Sequence, residues 1–188
     1  MTGGTHDGYS SVMTKGIAVG VAATLLAGLL GAYLFVALGL MPANADAKPP
    51  ALEKWAARKS LSATIEREAP KTPNPVALSD ENLIAGVKLY AANCAVCHGA
   101  SDGAASNIAK GLYQHAPQIP KHPVTDDEEG ETYWKIYHGI RMTGMPSYRA
   151  TLSETQMWQI TLFLKHMDEL TPAAQKAWKA LPSQASGA

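Results

Sequence analysis

Hydrophobic and polar positions divide the 188-residue chain into stretches of different period. Met1 to Lys15 is short, polar and glycine-bearing, and is expected to be a disordered cytoplasmic tail. From Gly16 to Leu40 there is no charge, and at ~1.5 Å per residue such a run crosses a ~30 Å hydrocarbon core with some tilt. This predicts one transmembrane helix over residues 16–41. Ala43-Asn44-Ala45 fits an A-x-A cleavage pattern, but the apolar region of a cleaved signal is typically ~7–15 residues, so the length favours an uncleaved anchor. Residues 42–78 read as a connector: Pro49-Pro50 opens a helix from about Ala51 to Glu68 with a partial apolar stripe at Leu52, Trp55, Ala56, Leu61 and Ile65. Pro70, Pro73 and Pro75 then stiffen a short extended segment.

The rest of the chain is patterned as helices and loops with no strand-like run. Ser79 is a good N-cap, Asp80 and Glu81 suit a first turn, and Leu83, Ile84, Val87 and Leu89 lead towards Cys94. Gly86 and Tyr90 share a face, and a helix-interior glycine, costing ~1 kcal/mol relative to alanine, suggests close approach of another helix. Gly99 to Lys121 shows no stripe and reads as a loop. The acidic run Asp126, Asp127, Glu128, Glu129 and Glu131 suits the start of a helix to Gly139, and Tyr133, Trp134, Ile136 and Tyr137 are expected to close a pocket. Ser153 with Gln156 forms a capping-box pattern ahead of Met157, Trp158, Ile160, Leu162, Phe163, Leu164 and Met167. Thr171-Pro172 begins a short tail helix through Leu181, and the final residues are expected to be disordered. The units implied are 79–170 for the domain and 171–188 for the tail.

Charge and composition narrow the function. Sixteen basic and sixteen acidic residues balance, against the basic stripe that a nucleic-acid partner calls for. Both cysteines of the chain lie in Cys94-Ala95-Val96-Cys97-His98, which leaves no thiol for a structural disulfide. C-x-x-C-H can attach a haem: the two thiols add to the two vinyl groups and the adjacent imidazole faces the iron. A dithiol redox pair would want a βαβ context. A zinc site would need two further ligands at finger-like spacing, and His115 and His122 are too far apart in sequence.

The segment G-V-K-L-Y-A-A-N-C-A-V-C-H-G resembles the first helix and haem site of a class I bacterial c-type cytochrome, over roughly Ser79 to Leu170. The resemblance implies an all-α, class I cytochrome c fold, here preceded by one N-terminal transmembrane helix, with one covalently bound haem c on Cys94 and Cys97. It implies that His98 ligates the iron and that Phe163 or Trp158 packs against Gly86 and Tyr90. In Ala116-Pro117-Gln118-Ile119 the Pro117 carbonyl would accept the His98 Nδ1 proton and Ile119 would pack on the porphyrin. Gly139 to Tyr148 resembles the distal loop, in which Met145, followed by a proline, supplies the second axial ligand; Met142 is the rival, and His115, His122, His138 and His166 default to the surface. Arg141 and Tyr148 are candidates to hold a propionate.

With both axial positions filled, no site remains for substrate. The chain therefore reads as a single-electron carrier, acting as a subunit or docked partner of a respiratory or photosynthetic complex; the resemblance implies haem attachment outside the cytoplasmic membrane, and so a single-pass protein of the bacterial inner membrane with its haem domain in the periplasm. The small residues Gly16, Gly20, Thr24 and Gly28, four apart, would let a partner helix approach. Alternatives are a haem subunit of a dehydrogenase or terminal oxidase, or a peroxidase or gas sensor if Met145 dissociates.

Overall fold

A computed structural model of the chain describes residues 6–184, which form two compact units that divide between residues 44 and 45. In the first unit, α1 runs His6–Ala37. Residues 6–15, expected to be disordered, are helical: once the apolar run has nucleated a helix, each residue added at its end gains a hydrogen bond without a new nucleation cost. Met1–Thr5 and the last four residues lie outside the described residues. The 27-residue stretch Ser11–Ala37 is long and apolar enough to cross a bilayer, and its side chains are exposed all round, the pattern of a helix whose solvent is lipid. Thr24 turns its hydroxyl back onto Gly20 O at 2.9 Å, so that polar group is satisfied within the helix.

The second unit is built from α2 (Ala51–Glu68), α3 (Asp80–Asn93), the single turn α4 (Ala95–His98), α5 (Asn107–Gly111), α6 (Glu129–His138), α7 (Glu154–Lys165) and α8 (Pro172–Lys179). No strand occurs among the described residues. The helix starts follow local chemistry. Ser79 accepts from Asn82 N, Thr171 accepts from Ala174 N, and Ser153 and Gln156 close a full capping box, each relieving an otherwise unpaired first-turn amide.

The core forms where α3 crosses α7. A Cβ on Gly86 would stand 2.2 Å from Gln159 O and 2.8 Å from Phe163 Cβ, so the glycine permits backbone-to-backbone contact. One turn on, Tyr90 meets Phe163 edge to face at 5.5 Å. Phe163 thus takes the place expected of it or Trp158, while Trp158 stacks on Tyr133 at 4.1 Å.

The segments read as connector and tail both enter this core. Trp178 of α8 lies 5.6 Å from Tyr90 and 5.2 Å from Phe163, and Ala174 is buried with Leu83 and Leu162. Ile65 and Ala69, at the end of α2, are buried against Trp134, and Asn74 donates to Glu129 Oε1 and Trp158 O. The cause is the size of the α3/α7 pair, whose apolar faces two short helices cannot cover. The expected loop Gly99–Lys121 likewise contains a helix, α5, started by Ser106, whose hydroxyl accepts from Ala109 N.

Gly86→Ala is expected to destabilise the haem-loaded chain by about 1–3 kcal/mol through overpacking. Gly111→Ala, with no atom within 4 Å of the new Cβ, should change stability by less than ~0.5 kcal/mol. Denaturant titration followed by tryptophan fluorescence distinguishes the two.

Candidate functional site

The motif occupies the corner where α3 ends. Cys94 N still donates to Tyr90 O at 2.8 Å, after which α4 makes one turn, with His98 N donating to Cys94 O at 2.9 Å. A helix this short has no interior, and its last carbonyls lack intrahelical donors. Each is met from elsewhere in the chain. Val96 O accepts from the Ser106 hydroxyl, Cys97 O from Gln118 Nε2 at 3.0 Å, His98 O from Ile119 N at 3.0 Å, and Gly99 O from the Tyr90 hydroxyl at 2.8 Å. The turn carrying the motif is therefore tied to α3, to α5 and to the 116–119 segment at once.

One face of this corner opens onto a cavity of about 310 Å³, within the range of cofactor pockets. Cys94, Cys97 and His98 line it, together with Pro117 and Ile119; Met145 and Pro146 line it from the 139–148 loop; Ile136, Ile160 and Leu164 add aliphatic wall from α6 and α7. His98 Nδ1 lies 2.9 Å from Pro117 O. Only the tautomer with its proton on Nδ1 can donate to that carbonyl, which leaves Nε2 with its lone pair free for a metal. Burial lowers the His98 pKa, opposed by the Pro117 bond, a direction that favours the neutral ring a ligand must present.

The loop bearing Met145 is shaped by backbone conformation. α6 ends at Gly139, whose φ of 67° lies in the left-handed region and whose Cβ would meet Pro146 C at 2.5 Å. The chain then doubles back. Ile140 N donates to Met145 O at 3.1 Å and Tyr148 N to Ile136 O at 3.1 Å, while Met145 N donates to the Thr143 hydroxyl at 3.1 Å. Met145 is held against the core and lines the cavity. Met142, in the same loop, is 87% exposed with φ 59° and does not reach it.

Other expected residues fall elsewhere. Arg141 is exposed and does not line the cavity, because the reversal at Gly139 carries it to the outside of the loop. Tyr148 does line it, but its hydroxyl donates to Asn93 O at 2.6 Å. Of the four side chains expected to close the pocket, Ile136 alone lines it; Tyr133 stacks on Trp158, Trp134 packs on α2, and Tyr137 faces Arg149. A ten-residue helix can turn only one stripe inward. The sequence reading missed Lys135 and Asp127, paired at 2.7 Å, which bring the only carboxylate and the only ammonium among the lining residues. Nothing in their spacing, eight residues apart and across a helix start, distinguishes them from a solvated pair.

The chemistry of the donor set separates the readings of C-x-x-C-H. Burial pushes the Cys94 thiol up to about 12, and burial also raises Cys97, the opposite of the lowered values that activate a dithiol pair. Among the described residues no group of three or more His, Cys, Asp or Glu side chains is placed to hold a metal ion. Two thiols and an imidazole on one wall, a thioether on another and aliphatic surface between them fit a haem. The sequence model of the family described as "Cytochrome C oxidase, cbb3-type, subunit III" matches residues 81–164. This part of the chain is a c-type cytochrome domain. Its cofactor is one covalently bound haem c, and its chemistry is haem-based electron transfer. No curated protein and no solved structure matches the chain. The N-terminal apolar helix fits membrane anchoring of the cytochrome domain.

In the haem-free chain the unfolded state surrenders the Cys94 proton near its ordinary value of 9.0, the folded state only near 12. Stability is thus fully present below pH 9 and falls as pH rises towards 12. Near pH 9, where the thiols titrate in the unfolded chain ahead of the buried phenols of Tyr90 and Tyr148, Cys94→Ala should make this loss shallower, leaving the share that the raised Cys97 contributes. Urea midpoints measured around that pH test it, and parallel curves for the two proteins would contradict it.

Proposed function

We propose that the chain is a membrane-tethered, mono-haem electron carrier in which Cys94 and Cys97 hold the haem and His98 and Met145 ligate its iron. We place its haem domain on the periplasmic side of a bacterial inner membrane. The observation that carries this reading is that Cys94, Cys97, His98 and Met145 line a single apolar cavity. Haem c supplies there a metal that gains or loses one electron. The chain's residues do the rest. Pro117 O orients the imidazole, the Ile140 and Thr143 contacts hold the loop that presents the thioether, and Ile119, Ile136, Ile160 and Leu164 keep water from the metal's surroundings. With a thioether and an imidazole as its ligands, the metal would be favoured in its reduced form and its potential would be raised.

The carrier works as a subunit or docked partner of a respiratory or photosynthetic membrane complex. The family description names a terminal oxidase subunit, which favours an oxidase-type complex over a free shuttle. The open faces of Gly16, Gly20 and Gly28, with nothing within 4 Å of a Cβ at any of them, would suit a partner helix.

Met145→Ala should abolish the long-wavelength thioether-to-iron charge-transfer band of the oxidised protein and lower the reduction potential, whereas Met142→Ala should leave both unchanged. Retention of the band in the Met145 variant would overturn the ligand assignment. Extraction of tagged full-length chain in mild detergent should bring companion subunits in fixed ratio at high and low salt. Recovery of the chain alone would return it to the shuttle class.

A further inference from the structure

The first three turns of α2 pack on almost nothing. Every residue from Ala51 to Ser60 is exposed, with Leu52 at 73% and Trp55 at 64%, and among the described residues the one tertiary hydrogen-bonding contact of this stretch is Glu53, whose two carboxylate oxygens share the Tyr113 hydroxyl proton at 2.9 Å each. Apolar packing on the cytochrome domain comes from the far end of the helix, at Leu61 and Ile65. A helical stretch of this length is marginal in water without a packed face, so its exposed side calls for a covering.

The character of that side indicates what covers it. Lys54, Trp55, Arg58, Lys59 and Ser62 line one shallow groove, turned away from the Glu53 contact. None of the three cations has an ion-pair partner among the described residues, and Glu53, the only acid between Ala51 and Ser60, is engaged by Tyr113. Leu52 and Trp55, three apart, flank the cations with an aliphatic and an indole surface. An indole beside long cationic side chains matches the boundary between hydrocarbon and headgroups. The location agrees: residues 38–50 separate the end of α1 from the start of α2, a link that reaches no further than about 45 Å when fully extended.

We propose that the N-terminal half of α2 is an interfacial helix that binds the surface of an anionic phospholipid bilayer, with Lys54, Arg58 and Lys59 on headgroup phosphates and Leu52 and Trp55 inserted beside them. The cytochrome domain is then held to the membrane at a second point besides the span. This rests on the apolar helix being retained as an anchor, and not on the haem ligands or on any redox partner.

The test uses the full haem-loaded chain reconstituted into vesicles of phosphatidylcholine alone or with a phosphatidylglycerol fraction, and reads amide hydrogen exchange over residues 52–60. Exchange should be at least about tenfold slower in the anionic vesicles, since each cation near such a surface contributes several-fold to binding. Added salt should reverse the slowing, and Lys54→Gln/Arg58→Gln/Lys59→Gln should remove it while residues 83–90 of α3, in the same samples, keep their protection. Equal exchange in the two vesicle types would overturn the proposal, as would slowing that persists in the triple variant or appears only when companion proteins are present. Loss of the chain from washed vesicles would instead show that the anchor reading itself fails.

Discussion

Four successive carbonyls, from Val96 to Gly99, hold the structure's chemistry in place. They end a single helical turn that could not persist alone, and each accepts from a different donor: Ser106, Gln118, Ile119 and Tyr90. An unmet acceptor in such a place costs about 1–3 kcal/mol, so the arrangement is mutually enforcing. The loop must wrap as it does to satisfy the turn, and the turn must sit as it does to receive the loop. His98 inherits this rigidity, and its ring is fixed again by the Pro117 carbonyl.

Tyr90 connects that local network to the global core. Its ring meets both Phe163 and Trp178 edge to face, a geometry that adds roughly 0.5–1.5 kcal/mol to area burial. Its hydroxyl reaches Gly99 O. The crossing of α3 over α7 and the docking of α8 therefore decide where the carbonyl just after the motif can lie. Gly86 sets how closely the two long helices meet, and so how far Tyr90 projects. Folding stability and the position of the haem-binding corner are not separable properties in this chain.

The cavity shows the same economy in its chemistry. Its surface is largely apolar, with Asn93, Gln114, His115, Thr132, Thr143 and the phenols of Tyr90 and Tyr148 among its lining, and the charged groups there, Lys135 and Asp127, neutralise each other. Little polar structure needs to rearrange when a metal within such walls changes charge by one, which suits electron transfer. Tethering to a membrane adds a restriction in dimension: a carrier held at the bilayer meets membrane partners at a raised effective concentration.

Much of this was legible in the residues themselves, because it depends on local chemistry. The α2 limits, the Ser79 and Ser153 caps, the apolar α1 and the C-x-x-C-H turn each follow from a few adjacent side chains whose preferences agree. The resemblance carried in Pro117 and Met145 pointed to positions that the fold does bring to one cavity. What the sequence could not disclose were choices among equivalent partners. Phe163 rather than Trp158 meets Tyr90, Trp178 belongs to the core rather than to a tail, Arg141 faces outward, and Lys135 and Asp127 face in. All of these turn on which stripe of a helix is covered when the helices pack, and on where a reversal such as that at Gly139 sends the next side chain. Local preference determines which residues form helices and turns; only the packing of one helix on another determines which of their faces becomes a site.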